Sequence, residues 1–171
     1  MFDVLSRMLR TGILTEPLPT SAKASHVETL QNDLWKTLGR ALCIRHVDAG
    51  SCNGCELEIQ ALNNPYYNLE GTGIKFVASP RHADLLLATG PVSLNMEEAL
   101  KRTYNAIPDP KLVIAVGDCG ACGGVFGQSY ASRGGVASVI PVHRTISGCP
   151  PNPAAILSGI LEAVRNMRSE A

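Results

Sequence analysis

The feature that most constrains the fold is the run from Leu112 to Val116, which contains only apolar residues. A strand of this kind is typical of a parallel sheet that is buried on both faces. Strand-like segments are also predicted at 42–47, 74–78, 85–89 and 139–142, and helical segments alternate with them at 54–62, 96–107 and 153–167. The alternation predicts an α/β fold with a doubly wound, mostly parallel, flavodoxin-like sheet that has helices on both faces.

The cysteines follow the ends of the predicted strands. Since the carboxyl ends of parallel strands open on one edge of a sheet, where ligands gather, we expect their loops to meet there. Three loops carry five of the six cysteines: Cys52 and Cys55 in the first, Cys119 and Cys122 in the second, and Cys149 in the third. The sixth, Cys43, lies inside the first predicted strand, where we expect a small core residue.

Two kinds of metal site fit these cysteines. A 4Fe-4S cluster needs four thiolates around a compact object, which Cys52, Cys55, Cys119 and Cys149 supply, and Cys149 is followed by proline as in many iron–sulfur sites. A structural zinc site would instead use Cys122 in place of Cys149, as two Cys-x-x-Cys pairs. The separation of the two pairs by a long stretch of α/β sequence favours the cluster.

Composition limits the partners. The 15 basic and 15 acidic residues balance, and no basic stripe with aromatics occurs, so a nucleic acid partner is not expected. Charged residues are only 18% of the chain, which leaves little charge to cover a small domain and favours an obligate subunit. The sequence has no export signal and no apolar run that could cross a bilayer, so we expect a cytoplasmic protein with reduced thiols.

Three motifs in this order resemble one family. They are Ser51-Cys52-Asn53-Gly54-Cys55-Glu56, then Gly117-Asp118-Cys119-Gly120, then Gly148-Cys149-Pro150-Pro151, which follows Pro141-Val142. Together, over 41–164, they resemble the family that contains the small subunit of nickel–iron hydrogenases and the 20 kDa subunit of respiratory complex I.

Two branches of that family compete. The split pair Cys52 and Cys55 resembles the hydrogenase branch, since the complex I branch has adjacent cysteines at this motif. The segment after Cys149 resembles complex I. The combination is similar to energy-converting, membrane-bound hydrogenases of the formate hydrogenlyase, carbon-monoxide-linked or ferredoxin-linked types. The alternative that stays open is a complex-I-type subunit that passes electrons to quinone.

The resemblance also implies a site and its partners. It makes Cys52, Cys55, Cys119 and Cys149 the ligands of one proximal 4Fe-4S cluster and leaves the place of Cys122 open. It implies an electron-relay subunit without a complete active site of its own. The nickel–iron centre is expected in a large catalytic subunit, and the other implied partners are a ferredoxin-like multi-cluster subunit and membrane-arm subunits on the cytoplasmic face of the membrane.

Other polar residues have two interpretations each. Glu56, Glu58 and His143 are candidates for proton transfer or for tuning of the cluster. Glu56 and Glu58 also suit a helix amino terminus without any chemistry, and His143 also suits a surface or an interface. For Asp118 we expect a cap on its own loop, and for Arg45 and His46 a place at an interface or sheet edge.

The first 40 residues form a separate unit by their pattern. Phe2, Leu5, Met8 and Leu9 have helical spacing, and Pro17, Pro19 and the small residues after them are typical of a linker. We therefore expect residues 1–40 to be a partner-docking helix and linker, with a disordered tail as the alternative, and residues 41–171 to form the cluster-binding α/β domain.

Overall fold

The computed structural model describes residues 39–169, together with residues 6, 7, 10, 11 and 36, and it leaves out the side chains of 167–169. The expected docking helix and linker therefore lie almost entirely outside the described residues.

The described strands form one parallel sheet. The sheet order is β2-β1-β3-β4-β5, and every neighbouring pair is parallel. This is the flavodoxin-like order, in which the chain reverses its direction across the sheet between β1 and β3. The predicted fold is thus confirmed, and the strands are β1 Leu42–Asp48, β2 Ile74–Phe76, β3 Leu85–Thr89, β4 Leu112–Val116 and β5 Arg144–Ile146.

Helices cover both faces of this sheet. The long helices are α1 Gly54–Ala61, α2 Leu94–Ala106 and α4 Pro153–Ser169, and the short α3 Gly117–Cys122 follows β4 directly. Residues of α1 and α4 share one apolar core with one face of the strands. Residues of α2 and of the 3-10 turn Val136–Ser138 share a second core on the other face. Burial on both sides explains why β3 and β4 consist of buried residues throughout.

The strand predicted at 139–142 is wrong, because the edge strand lies slightly further along the chain. Ile140 packs into the second core next to the 3-10 turn, where its N–H donates to the carbonyl of Val136 at 3.1 Å. Pro141 then has no N–H to offer a strand partner. Pairing with β4 begins only when the N–H of His143 donates to the carbonyl of Val113 at 2.9 Å.

None of the helices in the described part of the chain is both long enough and apolar enough to cross a membrane.

Candidate metal centre

A cavity of about 120 Å³ opens at the carboxyl edge of the sheet, where the loops after β1, β3, β4 and β5 meet. It lies beside the point between β1 and β3 where the strand order reverses, which is the usual ligand position in this kind of sheet. Four cysteines line it, but Cys122 does not. The lining residues are Ser51, Cys52, Gly54, Cys55, Gly90, Asp118, Cys119, Gly148, Cys149 and Pro150.

The first cysteine loop is shaped by Asp48 at the end of β1. Its Oδ1 accepts hydrogen bonds from the N–H groups of Gly50 at 2.8 Å and Ser51 at 2.7 Å. Asn53 then takes a left-handed conformation with φ of 70°, and α1 begins at the next residue. The chain therefore turns sharply between Cys52 and Cys55, so that both side chains reach the cavity.

The backbone at Gly117, which follows β4, strongly favours glycine. A Cβ built there would lie 2.7 Å from Cys55 Sγ and 3.3 Å from the carbonyl oxygen of Gly148, and the φ of this residue is +81°. Gly54, between the first two cysteines, does not make such a close approach. A Cβ at Gly54 would make only ordinary contacts, the nearest at 3.5 Å to Cys52 Sγ.

Gly124 makes a second close approach. A Cβ at this residue would lie 2.7 Å from Cys119 Sγ. The backbone beyond α3 therefore packs directly against a cysteine of the cavity, which brings the following loop to the same place.

The thiols of the cavity influence one another. Burial, followed by the charges of Glu56 and of the other three cysteines, raises the pKa of Cys55 to about 12. Burial and the neighbouring Cys149 and Cys52 also raise the pKa of Cys119. Thiolates that repel one another in this way are stabilised by a positively charged group bound between them.

Glu56 lies behind the cysteines and is only 6% exposed. The hydroxyl of Ser51 donates a 2.6 Å hydrogen bond to its Oε2, whereas Oε1 has no hydrogen-bond partner and lies 3.7 Å from His46 Nε2. His46 Nε2 is also 3.1 Å from the hydroxyl oxygen of Thr89. Glu56 is in the first turn of α1, as expected, but it is a buried member of a polar cluster and not a surface carboxylate. No sequence pattern indicated this cluster, since its members come from two strands, a helix and a loop.

Burial has a clear effect on His46. Desolvation outweighs the attraction of Glu56 and Asp48, and it lowers the pKa of His46 below its usual value, with a smaller effect of Arg45 in the same direction. His46 and Arg45 both line a shallow pocket beyond β2, in which the Nε of Arg45 is buried without a hydrogen-bond partner.

The remaining candidates lie away from the cavity. His143 precedes β5 at the amino end of the sheet, where its Nδ1 accepts a 3.0 Å hydrogen bond from the N–H of Val113. It lines a pocket there with Arg144, which forms an ion pair with Glu162. Glu58 is half-buried on α1 and does not line the cavity, and Cys43 lies in β1.

The arrangement of the donors suits a group larger than one ion. Within 39–169 and the other described positions, no three histidine, cysteine, aspartate or glutamate side chains are placed to hold a single metal ion. The four cysteines that line the cavity instead surround a space of about 120 Å³, and all are free thiols. Four thiolates around such a space are the donor set of a cubane iron–sulfur cluster.

The parallel sheet and the four cysteines at its carboxyl edge define a flavodoxin-like α/β chain with a thiolate site between loops. Residues 52–163 match the family described as NADH ubiquinone oxidoreductase, 20 Kd subunit, and the chain belongs to this family. Family and relatives make it a subunit of an oxidoreductase complex.

Two curated relatives are similar over most of the chain. One is a probable membrane-bound hydrogenase subunit of Pyrococcus furiosus, 42% identical over 88% of this chain and 90% of the relative. The other is formate hydrogenlyase subunit 7 of Escherichia coli, 43% identical over 86% of this chain but only 58% of the relative.

Solved structures agree with the fold. A chain of an archaeal membrane-bound sulfane sulfur reductase matches with a TM-score of 0.65 and 33% identity, over 80% of this chain and 76% of that one. A chain of an NAD⁺-reducing nickel–iron hydrogenase matches with a TM-score of 0.58 and 17% identity, over 74% of this chain and 93% of that one, and this likeness concerns the fold alone.

Proposed function

We propose that this chain is the electron-relay subunit of a membrane-associated nickel–iron hydrogenase and that it holds one 4Fe-4S cluster on Cys52, Cys55, Cys119 and Cys149. The observation that carries the proposal is the cavity that these four cysteines line together. The Pyrococcus furiosus and Escherichia coli relatives are named as hydrogenase and formate hydrogenlyase subunits, and these names support a hydrogenase reaction for the complex.

The cysteine set supports a cluster over a structural zinc ion. The zinc alternative needs Cys122, which does not line the cavity and has its Sγ 3.3 Å from the carbonyl oxygen of Asp118. It also leaves out Cys149, which does line the cavity.

The residues of this chain hold and tune the bound group. A 4Fe-4S cluster supplies one-electron transfer. Gly117 and Gly124 allow the backbone to approach the cysteine sulfurs. The carboxyl groups of Glu56 and Asp118 place negative charge close to the same sulfurs, which stabilises the oxidised form of the group. We propose that the chain needs the large partner for a complete active site, and we assign the nickel–iron centre to that partner.

The surface beside the cavity has the features of an interface with a permanent protein partner. Val125, Phe126 and Tyr130 are 93%, 61% and 95% exposed, in the loop that packs on Cys119 through Gly124. No charged residue occurs between Cys119 and Ser132. A transient carrier is steered by complementary charge, whereas the centre of a permanent interface is rich in aromatic residues and poor in charge. We therefore assign this surface to the large catalytic subunit.

The other partners follow from the kind of complex. We propose a ferredoxin-like multi-cluster subunit as the second electron partner, and membrane-arm subunits that keep the chain on the cytoplasmic face of the membrane. The Pyrococcus furiosus relative, named as a subunit of a membrane-bound hydrogenase, supports this location. Residues 1–40 are proposed to dock on a partner.

A second candidate function is electron delivery to quinone in a complex of the NADH:quinone oxidoreductase type. It is favoured by the description of the matched family. It is also favoured by a Roseiflexus castenholzii relative that is named as an NADH-quinone oxidoreductase subunit, 44% identical over 67% of this chain and 70% of the relative. The same site serves both functions, and the large partner decides between them.

The test uses the parent complex, purified without oxygen. We expect about four irons per copy of this chain beyond those of the other subunits, and a broad charge-transfer band that bleaches on reduction. Hydrogen evolution and nickel are expected in the same preparation. Quinone reduction with iron but without nickel would overturn the hydrogenase assignment and keep the cluster. One tightly bound zinc in this chain and no iron would overturn the cluster as well.

A further inference from the structure

Asp118 connects α3, which carries Cys119, to the loop that carries Cys149. Its N–H donates a hydrogen bond to the carbonyl oxygen of Gly148 at 2.9 Å. Its carboxylate Oδ1 accepts a hydrogen bond from the N–H of Gly148 at 2.8 Å. One residue therefore holds both polar backbone atoms of the residue immediately before Cys149, although 30 positions separate the two in the chain.

The Cys149 loop has few other hydrogen bonds in the described part of the chain. It follows β5, an edge strand of three residues that pairs only with β4. Pro150 and Pro151 come next and have no N–H to donate. Gly148 has a φ of +137°, and a Cβ there would lie 2.7 Å from Pro151 Cα, so the loop has a shape that only glycine permits.

The carboxylate of Asp118 does not serve its own helix. The sequence predicts that Asp118 caps its own loop, but no side-chain hydrogen bond caps α3, which begins at Gly117. The carboxylate instead reaches across to the neighbouring loop and lines the cavity. Its negative charge also faces Cys119, whose pKa it helps to raise after burial and the charges of Cys149 and Cys52.

We propose that Asp118 is a positioning residue with two separable effects: its hydrogen bond from Gly148 holds Cys149 in place beside Cys119, and its charge lowers the reduction potential of the group that the cysteines bind. The proposal rests on the proposed function, because it concerns how that bound group is retained and tuned. The hydrogen bond controls retention, since a loop that swings away leaves an iron without its thiolate. The charge controls the potential, since added negative charge disfavours reduction.

Two substitutions separate the effects. Asp118→Asn keeps an oxygen that accepts the hydrogen bond from Gly148 and removes the charge. Asp118→Ala removes both. Asp109→Asn is the matched control, because Asp109 is an exposed aspartate before β4, at the opposite end of the sheet from the cavity.

The experiment uses the intact complex, purified without oxygen. It measures the rate of iron release to a chelator and the midpoint potential of the cluster by spectroscopic redox titration. We expect Asp118→Ala to release iron about tenfold faster or more, the factor for losing a hydrogen bond to a charged acceptor. Asp118→Asn should release iron at close to the original rate, both Asp118 variants should have a raised potential, and Asp109→Asn should change neither quantity.

Each effect has an outcome that overturns it. Release from Asp118→Ala at the original rate, or release from Asp118→Asn as fast as from Asp118→Ala, would overturn the positioning role. Unchanged potentials in both variants would overturn the effect of the charge. If Asp118→Ala does not assemble, Asp118→Asn still decides, since retained iron with a raised potential supports the proposal and rapid loss of iron refutes it. A failure of the proposed function is distinguishable, because the unsubstituted complex would then lack the iron of this chain.

Discussion

Replacing Gly117 with alanine tests whether the backbone around the cavity is fitted to the cysteine sulfurs. The new Cβ would lie 2.7 Å from Cys55 Sγ, much closer than a carbon and a sulfur can approach without displacement. Gly73→Ala is the matched control, because Gly73 has a similar φ of +87° but no atom within 4 Å of a Cβ built there. The two variants share the backbone strain, and only Gly117→Ala adds the contact with Cys55.

The magnitudes follow from these two contributions. A left-handed conformation costs an alanine about 1–2 kcal/mol. In a domain of this size that lowers the melting temperature by about 2–8 °C in both variants. The contact with Cys55 adds about 1–3 kcal/mol if the sulfur stays in place. If Cys55 rotates away instead, the fold is spared but the thiolate leaves the cavity. In either case the affinity for the bound group falls, by about 5- to 150-fold for a loss of that size.

The assay compares iron content and melting temperature for both variants, with iron measured on the intact complex. We expect Gly117→Ala to melt about 2–12 °C below Gly73→Ala if the Cys55 sulfur stays in place, and within a few degrees of it if Cys55 rotates away. Clear loss of iron is expected only in Gly117→Ala. Equal iron content in Gly117→Ala and Gly73→Ala would refute the argument that a side chain at Gly117 displaces Cys55 from its place in the cavity.

Three further predictions concern the ligands, the buried histidine and the exposed loop. A serine in place of Cys52, Cys55, Cys119 or Cys149 should abolish or degrade the cluster in visible spectra, whereas Cys122→Ala should keep it. Loss of the cluster in Cys122→Ala together with an intact cluster in Cys149→Ser would refute this ligand set. Because burial lowers the pKa of His46, the unfolded chain binds its proton first as pH falls, so thermal stability should decrease from pH 7.5 to pH 6. His46→Gln should flatten that slope, and an unchanged slope would contradict the assignment. Tyr130→Ser should weaken co-purification with the large partner without loss of iron. Tyr66→Ser changes an exposed tyrosine in the loop after α1 and should leave co-purification unchanged. Equal effects of the two variants on co-purification would refute the assigned surface.

The sheet could be predicted because strands that are buried on both faces consist of continuous apolar residues, which are visible in the sequence. β3 and β4 are apolar along their length, and the segments around them alternate with helices. The edge strand β5 could not be found in this way, since only Ile146 of its three residues is buried and the apolar residues before it belong to a turn. Periodicity records burial, and an edge strand is held by backbone hydrogen bonds that any residue can make.

The cavity-lining cysteines could be predicted because thiolates at strand ends have few structural uses in a chain with reduced thiols. The residues around them could not. Ser51 and Asp118 each look like ordinary loop residues, and their partners Glu56 and Gly148 are fixed by how α1 and β5 pack. The same holds for Gly117, whose preference for glycine comes from the position of Cys55 in the first turn of α1.

The order of the strands explains why a site built from distant residues can be held rigidly. Cys52 and Cys149 lie near opposite ends of the domain sequence, but β1 and β5 are linked through the parallel pairings of β3 and β4. Ala88 and Ala115 lie opposite each other in the register between those central strands, and both are fully buried. The cysteine loops therefore start from strand ends that cannot slide past one another without exposing the apolar core on both faces. Local contacts such as the Asp118–Gly148 pair then need to fix only the last few residues of each loop, which is where we expect substitutions to change the bound group while sparing the fold.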